Sequence, residues 1–179
     1  MVGPSGAGKG SIVAGLSRRV PQLWLSRSWT TRPPRVGEAA DAYKFVDRDT
    51  FLAHADSGGF VESAEVFGHL YGTPIPDPPV GNDLLLEIDV QGANQVRTLH
   101  PDAVVILIDV PSRAAQEERL RARGDDEALI ARRLARADAE AEAGRALADY
   151  VIVNEDLDRA IEESAAIVEM HRSVGSPPS

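Results

Sequence analysis

The chain has 179 residues, of which 43% are hydrophobic, 26% are charged and none is cysteine. This length suits one domain with a substantial core, and the lack of cysteine excludes disulfides and cysteine-ligated metal sites. A net charge of −9 argues against a general nucleic-acid or membrane surface, and no segment has the pattern of a signal peptide or membrane span, so we expect a cytoplasmic protein.

The first element is a glycine-rich segment, GPSGAGKGS, followed by an apolar helical pattern. Glycines let successive backbone N–H groups point towards one centre, the helix adds the positive end of its dipole, and a lysine adds a mobile charge. The pattern G-x-x-x-x-G-K therefore predicts a polyphosphate-binding loop. We assign to this ATP-binding loop Gly3, Pro4, Ser5, Gly6, Ala7, Gly8, Lys9, Gly10 and Ser11.

The loop departs from the common pattern where a hydroxyl usually ligates Mg²⁺. Gly10 occupies that position, and the hydroxyl follows one residue later at Ser11. GKG followed by a hydroxyl residue resembles the loop of adenylate kinases, which indicates a nucleotide kinase with adjusted Mg²⁺ contacts. Ser11 is the candidate metal ligand and Ser5 the alternative. A glycine-rich turn that binds nothing is the competing interpretation, and Lys9 with a helix directly behind it argues against that.

Only Met1 and Val2 precede the loop, although such loops normally follow a buried strand. We expect part of that strand to lie before residue 1, because losing a core strand would remove several kcal/mol of burial. Helix signals then continue to Val20 and end at Pro21, and Leu23 to Ser26 has the character of a strand.

The middle of the chain has short extended patterns and many turn-forming residues. We predict, in order, an irregular segment at 28–38, a strand at 42–46, a helix at 48–55, an extended run at 60–67, a turn at 70–73 and a proline-rich extended linker at 74–83.

The remaining sequence alternates strands with helices, which predicts an α/β fold with a parallel three-layer sheet and residues 30–83 inserted as a small mixed subdomain. The predicted strand at 83–89 has a buried apolar pattern and ends with the two acids Glu87 and Asp89. The final segment of the chain should be disordered. We predict strands at 83–89, 104–110 and 150–153, helices at 91–99, 112–122, 127–147 and 157–170, and a disordered tail at 173–179.

Six segments resemble guanylate kinases, in the order found in that family: GPSGAGK, SWTTRPPRVGE, FVESAEVFGHLYGT, LLLEIDVQGA, RLRARG with ARRLARA, and YVIVNEDLD. The resemblance implies the P-loop NTPase fold, transfer of the γ-phosphoryl of ATP to GMP, and a requirement for Mg²⁺. It further implies small-molecule substrates, with no nucleic acid or membrane partner, and leaves the oligomeric state open. The implied division is a core at 1–29, 84–118 and 138–179, a GMP-binding subdomain at 30–83 and a lid at 119–137.

Two arginines are candidates for binding the acceptor phosphate. Arg32 and Arg35 flank a rigid proline pair, so their guanidinium groups can converge on one phosphate. The family resemblance assigns both to the GMP phosphate, with Glu38 in the same motif and Tyr43 and Tyr71 as phenolic donors. The alternative is a solvated polar loop.

Base recognition is expected to depend on Glu62. Guanine presents N1–H and its amino group as adjacent donors to a carboxylate, whereas adenine presents an acceptor at N1. The resemblance places Ser28 and Thr73 near guanine O6 and Glu87 near the amino edge. Outside the FVES context, Glu62 would be interpreted as a surface acid.

The arginine-rich stretch at 119–136 is mostly explained by solvated helix faces, on which arginines pair with acids such as Asp125. The resemblance nevertheless makes it the lid and favours Arg123 and Arg133 as contacts to the transferring phosphoryl group. Together with Lys9 and Arg32 they form the predicted catalytic set. Asp89 is predicted to contact Mg²⁺ through water, its alternative role being to cap the following helix. The resemblance assigns adenine contact to Asn154, and turn formation is the alternative.

Two other functions share parts of this pattern. A ribose 1,5-bisphosphate kinase would have the loop but would not need Glu62 or the arginines of TTRPPR. A guanylate-kinase-like binding module would lack catalysis, and the intact Lys9 argues against it. The proline-rich connection after Thr73 is shorter than the helical one usual in guanylate kinases, so closure of the subdomain is expected to differ.

Overall fold

Helices and strands alternate through most of the computed structural model, which describes residues 1–35 and 37–175. The elements are, in order, α1 Lys9–Arg19, β1 Leu23–Leu25, β2 Trp29–Thr30, β3 Lys44–Phe45, α2 Arg48–Asp56, β4 Phe60–Val66, β5 His69–Pro74, β6 Asp83–Leu85, α3 Val90–Leu99, β7 Ile106–Asp109, α4 Arg113–Ala122, α5 Glu127–Leu147, β8 Tyr150–Val153 and α6 Leu157–Gly175. They group into two compact units, one formed by residues 1–23 with those from 104 onward, the other by residues 24–103.

In the first unit, a parallel sheet positions the glycine-rich loop. β7 and β8 pair in parallel, and Val2 forms a parallel bridge to Leu107 on β7. The Val2 N–H donates to the Ile106 carbonyl at 2.9 Å, and the Ile108 N–H donates to the Val2 carbonyl at 2.8 Å. Val2, Leu107 and Ile108 are almost completely buried, so the loop begins directly at the end of a buried extended segment.

Helix α1 follows the loop and packs closely against α6. A Cβ at Gly15 would lie 2.3 Å from Ile161 Cδ1, so this glycine permits the close approach of the two helices. Ile12 and Leu16 on α1 are fully buried. Burial of such side chains contributes about 1.5–3 kcal/mol each, which fixes α1 and hence the loop that precedes it.

Helices α4 and α5 begin and end where the sequence predicts. Ser112 caps α4 by accepting the Ala115 N–H at 3.1 Å, and Asp126 caps α5 by accepting the Leu129 N–H at 2.7 Å. Gly124, with φ of 84°, ends the first of them. The predicted bounds of α5 and β8 are confirmed.

The second unit contains a mixed four-stranded sheet in the order β3-β2-β5-β4. β4 and β5 form an antiparallel hairpin whose turn lies at Phe67 and Gly68, with φ of 52° and 83°. Positive φ at both positions matches the twist of a two-residue hairpin. The predicted turn at 70–73 is therefore wrong: these residues belong to β5, and Thr73 pairs with Glu62 across the hairpin.

Aromatic side chains hold α2 against this sheet. The ring of Trp29 stacks on His54 with centroids 4.2 Å apart, and the ammonium of Lys44 lies 3.6 Å from the Trp29 ring centroid. Phe60 packs edge-on against Trp29 and stacks on the buried Phe51 of α2. These contacts connect three strands and one helix.

Several other boundaries differ from the predictions. Strand β2 interrupts the segment predicted to be irregular, and β6 covers only three of the seven residues predicted as a strand. The strand Leu23–Leu25 pairs with β6. Helix α6 continues to Gly175, so the first residues of the predicted disordered tail are helical, and residues 176–179 lie outside the described residues. None of the helices within the described ranges is long and apolar enough to cross a membrane.

Candidate nucleotide-binding sites

The glycine-rich loop has a backbone that favours glycine at Gly3, Gly6 and Gly8, and two of these positions also lack space for a side chain. Gly3 has φ of 148°, and a Cβ there would lie 2.1 Å from the Ile108 carbonyl oxygen. Gly8 has φ of 86°, and its Cβ would lie 2.4 Å from Asn154 Nδ2. Both the dihedral angle and the space therefore exclude a side chain. The loop turns tightly over the end of β7 into the positive N-terminus of α1.

Lys9, the first residue of α1, folds back over the loop. Its ammonium donates to the carbonyls of Gly3 at 2.6 Å and Pro4 at 3.4 Å. A lysine held there adds a full positive charge to the partial positive charges of the backbone N–H groups of the loop.

Two buried amide side chains fix the loop through hydrogen bonds to its backbone carbonyls. Gln116 donates to the Ser5 carbonyl at 2.6 Å, and Asn154 donates to the Ala7 carbonyl at 2.8 Å. The Oδ1 atom of Asn154 is buried and has no hydrogen-bond partner among the described residues. The amide of Asn154 thus positions the loop, and the adenine contact suggested for it stays a prediction.

The predicted lid arginines converge on the loop. Arg133 donates to Ser5 Oγ, and an Arg123 nitrogen lies 3.5 Å from the same oxygen. Both arginines also contact the carboxylate of Asp125, Arg133 through Nε at 3.3 Å. Arg119 donates to the Asn154 carbonyl at 2.7 Å. This concentration of positive charge in one place suits a polyanion.

Two buried donors of this cluster lack an acceptor among the described residues. They are Nη1 of Arg119 and Nε of Arg123. Buried guanidinium N–H groups are normally hydrogen-bonded, so within the described ranges these two donors lack the acceptor that such groups usually have.

The candidate metal ligands differ in their exposure and in their contacts. Ser11 and Gly10 are exposed on the first turn of α1, whereas Ser5 Oγ already accepts from Arg133. The cationic neighbours of Ser5 disfavour a second cation there, so Ser11 is the better candidate. Asp89 caps α3 by accepting the Gly92 N–H at 2.8 Å, as its alternative role required. Within the described ranges, no group of three acidic or histidine side chains could enclose a metal ion.

In the second unit, Arg32 is buried and forms a bidentate ion pair with Glu38. Its Nη2 donates to Glu38 Oε1 at 2.7 Å and its Nη1 to Oε2 at 2.9 Å. The Arg35 N–H donates to Oε2 at 2.9 Å, and the Arg35 guanidinium lies 3.9 Å from Oε1. Glu38 therefore orients both predicted phosphate-binding arginines. Arg32 Nε is buried without an acceptor among the described residues.

Aromatic rings surround the buried arginine. The Arg32 guanidinium lies 5.4 Å from the Tyr43 ring centroid and 5.5 Å from that of Phe45, and Tyr71 packs edge-on against Tyr43 at 6.0 Å. Burial raises the pKa of Tyr43, and the negative charge of the half-buried Glu87 adds to that effect. The Tyr43 phenol therefore stays protonated and can donate a hydrogen bond to an anion.

Glu62 is 5% exposed and is held in place by its hairpin partner. The Thr73 hydroxyl donates to Glu62 Oε1 at 2.6 Å, and Ser28 Oγ lies 3.5 Å from that same hydroxyl. A Cβ at Gly92 would lie 2.3 Å from Glu62 Oε2, so the glycine leaves room for the carboxylate. Burial raises the pKa of Glu62 and the charge of Asp89 adds to this, while the hydrogen bond from Thr73 opposes it.

Sequence reasoning missed the roles of Asp125 and Gln116. Asp125 was assigned to a solvated helix face, but its side chain is only 6% exposed and lies between two arginines. An acid directly after an R-x-R-G sequence, where a chain reversal brings it back towards the arginines, is a usable signal. Gln116 carries no such signal, because nothing in a helical pattern distinguishes a glutamine that bonds to a loop 111 residues away.

The ion pair of Glu38 predicts a pH-dependent contribution to stability. Burial raises the pKa of Glu38, but the hydrogen bonds from Arg32 and from the Arg35 backbone outweigh it and lower the pKa below its ordinary value. The stabilisation is therefore complete above the unfolded-state pKa of about 4.3 and is lost as the pH falls through the lower folded-state value. We expect the melting-temperature difference between the wild type and Glu38→Gln to shrink as the pH is lowered from 6 to about 3. A difference that is constant over this range would contradict the assignment.

The loop, its lysine and the parallel strands beside it define a P-loop nucleotide-binding protein. A family model described as guanylate kinase matches residues 1–171. The chain therefore belongs to the guanylate kinase family. The predicted P-loop fold and family resemblance are confirmed.

Individual relatives agree with this membership. The chain is 45% identical over 184 residues to a guanylate kinase of Synechococcus sp. (strain CC9902), covering 99% of this chain and 95% of the relative. It is 46% identical to one from Chromobacterium violaceum, covering 99% and 87%. A crystal structure of guanylate kinase from Anaplasma phagocytophilum is similar with a TM-score of 0.75 and 34% identity, covering 95% of this chain and 84% of that one.

Proposed function

We propose that the protein transfers the γ-phosphoryl group of ATP to GMP, giving ADP and GDP. The observation that carries this proposal is the buried Glu62, fixed by Thr73 in the same unit as the buried Arg32. A phosphate-binding loop alone fits many nucleotide enzymes, whereas this pairing of a base-reading carboxylate with a phosphate-binding arginine suits a guanine mononucleotide. The family membership supports the same reaction.

On the donor side, the loop residues 3–11 bind the ATP phosphates through backbone N–H groups and through Lys9. Arg123 and Arg133, which contact Ser5, stabilise the negative charge that spreads over the transferring group. Phosphoryl transfer requires little covalent participation by the protein, so positioning and charge stabilisation supply most of the catalysis.

On the acceptor side, Arg32 and Arg35 bind the GMP phosphate. The guanidinium of Arg32 is already oriented by Glu38 and surrounded by rings, so little side-chain entropy is lost when the phosphate binds. Tyr43 and Tyr71 add phenolic donors. Glu38 carries the wrong charge to contact a phosphate, so its contribution to the GMP site is to orient the arginines.

The guanine is recognised by Glu62, Ser28, Thr73 and Glu87. A carboxylate accepts both adjacent donors of guanine, and adenine would place its N1 lone pair against it. Thr73 donates to the Glu62 carboxylate and keeps it in one orientation. Gly92 leaves space for this carboxylate. Specificity for guanine therefore also depends on Gly92, although Gly92 itself does not contact the base.

Mg²⁺ is the metal that such a reaction uses. The residues present fit a metal ion that takes most of its ligands from the ATP phosphates and from water. Mg²⁺ commonly takes one or two protein oxygens and completes its shell with phosphates and water. The exposed hydroxyl of Ser11 would supply one oxygen, and Asp89 would act through water. When bound, the metal neutralises part of the phosphate charge. We also propose that the protein acts in the cytoplasm.

A coupled assay of ADP release tests the proposed function with GMP, AMP and ribose 1,5-bisphosphate as acceptors. Turnover with GMP well above that with the other two is expected. Turnover with the sugar bisphosphate alone would indicate the other enzyme, and no acceptor-dependent turnover would indicate a binding module. The family relatives do not favour either alternative.

Replacement of Glu62 by glutamine is expected to lower kcat/KM for GMP by the equivalent of about 1–3 kcal/mol. The amide of glutamine would place a donor against a guanine donor, while Thr73 could still donate to its carbonyl. The measurement is steady-state kinetics with GMP varied at saturating ATP. The exposed Glu65 on the same strand provides the matched control, Glu65→Gln, which should not change kcat/KM. Equal values for wild type and Glu62→Gln would mean that the base is recognised elsewhere.

A further inference from the structure

Asp125 occupies an unusual position for an acid in a protein that binds polyanions. Its side chain is 6% exposed, and it contacts the guanidinium groups of both Arg123 and Arg133. Both arginines in turn contact the hydroxyl oxygen of Ser5 in the loop. One carboxylate thus connects two arginines that reach the same loop atom.

The chain conformation explains why Asp125 lies there. Helix α4 ends at Ala122, Gly124 adopts φ of 84°, and Asp126 caps α5. Asp125 is therefore confined to the short reversal between two capped helices. Arg123 approaches it from one helix end, and Arg133 approaches it from the second turn of α5.

The negative charge of the Asp125 carboxylate explains its effect on the two arginines. Two guanidinium groups brought to one hydroxyl repel each other, and burial in a medium less polar than water strengthens that repulsion. A carboxylate shared between them offsets the repulsion, and the hydrogen bond that Asp125 accepts from Arg123 fixes the orientation of that guanidinium. Without it, the arginines would be expected to separate and turn towards solvent, which their long side chains allow.

We propose that Asp125 is a positioning residue for phosphoryl transfer, which holds Arg123 and Arg133 together over the phosphate loop. This inference rests on the proposed function and extends it to a residue that bears the same charge as the substrates. Asp125 does not contact the nucleotide. It acts through the two arginines, so its removal affects the reacting state more than the binding of ATP.

The test is a comparison of Asp125→Asn with the wild type, using full-length protein. We expect kcat with GMP to fall by about 10- to 100-fold, because misplaced charge-stabilising groups have effects of that order. The affinity for a non-hydrolysable ATP analogue, measured by equilibrium titration, should stay unchanged or increase, because a negative charge near the triphosphate is removed. A fall in analogue affinity in proportion to kcat would overturn the inference.

A double-mutant cycle separates positioning from a general loss of structure. If Asp125 acts through Arg133 as well as Arg123, then Asp125→Asn should lower kcat by a clearly smaller factor in an Arg133→Met background than in the wild type. Full additivity of the two effects would overturn the inference. Asp138→Asn removes an exposed acid from α5 and serves as the matched control, with kcat and melting temperature close to those of the wild type.

The experiment distinguishes failure of the proposed function from failure of the inference about Asp125. A wild type without GMP-dependent turnover would overturn both the proposed function and this inference. An active wild type, with kcat of Asp125→Asn within about 2-fold of it, would overturn the inference alone and leave the proposed function in place.

Discussion

Replacement of Lys9 by alanine is expected to lower kcat by at least about 100-fold. The ammonium of Lys9 is held at the loop by the carbonyls of Gly3 and Pro4, so it is in place before substrate arrives. Negative charge moves to the leaving oxygens in the transition state, and a preoriented cation stabilises that state more than the ground state. The KM for GMP should change much less, because the residues assigned to GMP belong to the other compact unit.

The chain offers a matched control in its other lysine. Lys44→Ala removes a positive charge and a long stem from β3, where the ammonium lies against Trp29. It should lower the free energy of unfolding by about 0.5–1 kcal/mol and leave kcat near the wild-type value. An unchanged kcat for Lys9→Ala would reject the role assigned to Lys9.

Replacement of Arg32 by methionine is expected to raise the KM for GMP by the equivalent of about 2–5 kcal/mol. The substitution removes the guanidinium proposed to bind the GMP phosphate and leaves Glu38 without its principal partner. An acid without its counterion would then also repel the phosphate. Steady-state kinetics with GMP varied measures the effect, and thermal melting measures the accompanying loss of stability.

Two further variants separate binding from folding. The double variant Arg32→Met with Glu38→Gln removes both charges, so it should recover melting temperature without recovering the KM for GMP. Arg32→Lys keeps the charge but loses the planar pair of donors, and should give an intermediate KM. Arg48→Met removes an exposed arginine of the same unit and is expected to be neutral. If Arg32→Met bound GMP as the wild type does, the acceptor site would have to lie elsewhere.

Local signals in the sequence were sufficient wherever a single residue type determines the backbone. Ser112 and Asp126 are strong caps, and the helices that follow them begin as predicted. The glycine–lysine pattern at 3–9 likewise predicted the loop, because its conformation excludes other residues. In these cases the physical cause lies within a few residues of its effect.

Boundaries set by distant partners were harder to predict. Residues 70–73 contain a glycine and were interpreted as a turn, yet pairing with β4 makes them a strand, and the reversal lies at Phe67 and Gly68. Cross-strand partners cannot be identified from local propensity. The same holds for Asp125, whose burial depends on two arginines that approach from different helices.

The stacking of Trp29 has a practical consequence for spectroscopy. Trp24 and Trp29 are the two tryptophans of the chain, and both belong to the unit formed by residues 24–103. Intrinsic indole emission therefore reports on that half of the molecule alone. Trp29 stacks on the imidazole of His54 and contacts the ammonium of Lys44, so its fluorescence is a built-in probe of the unit proposed to bind GMP, free of signal from the unit that holds the glycine-rich loop.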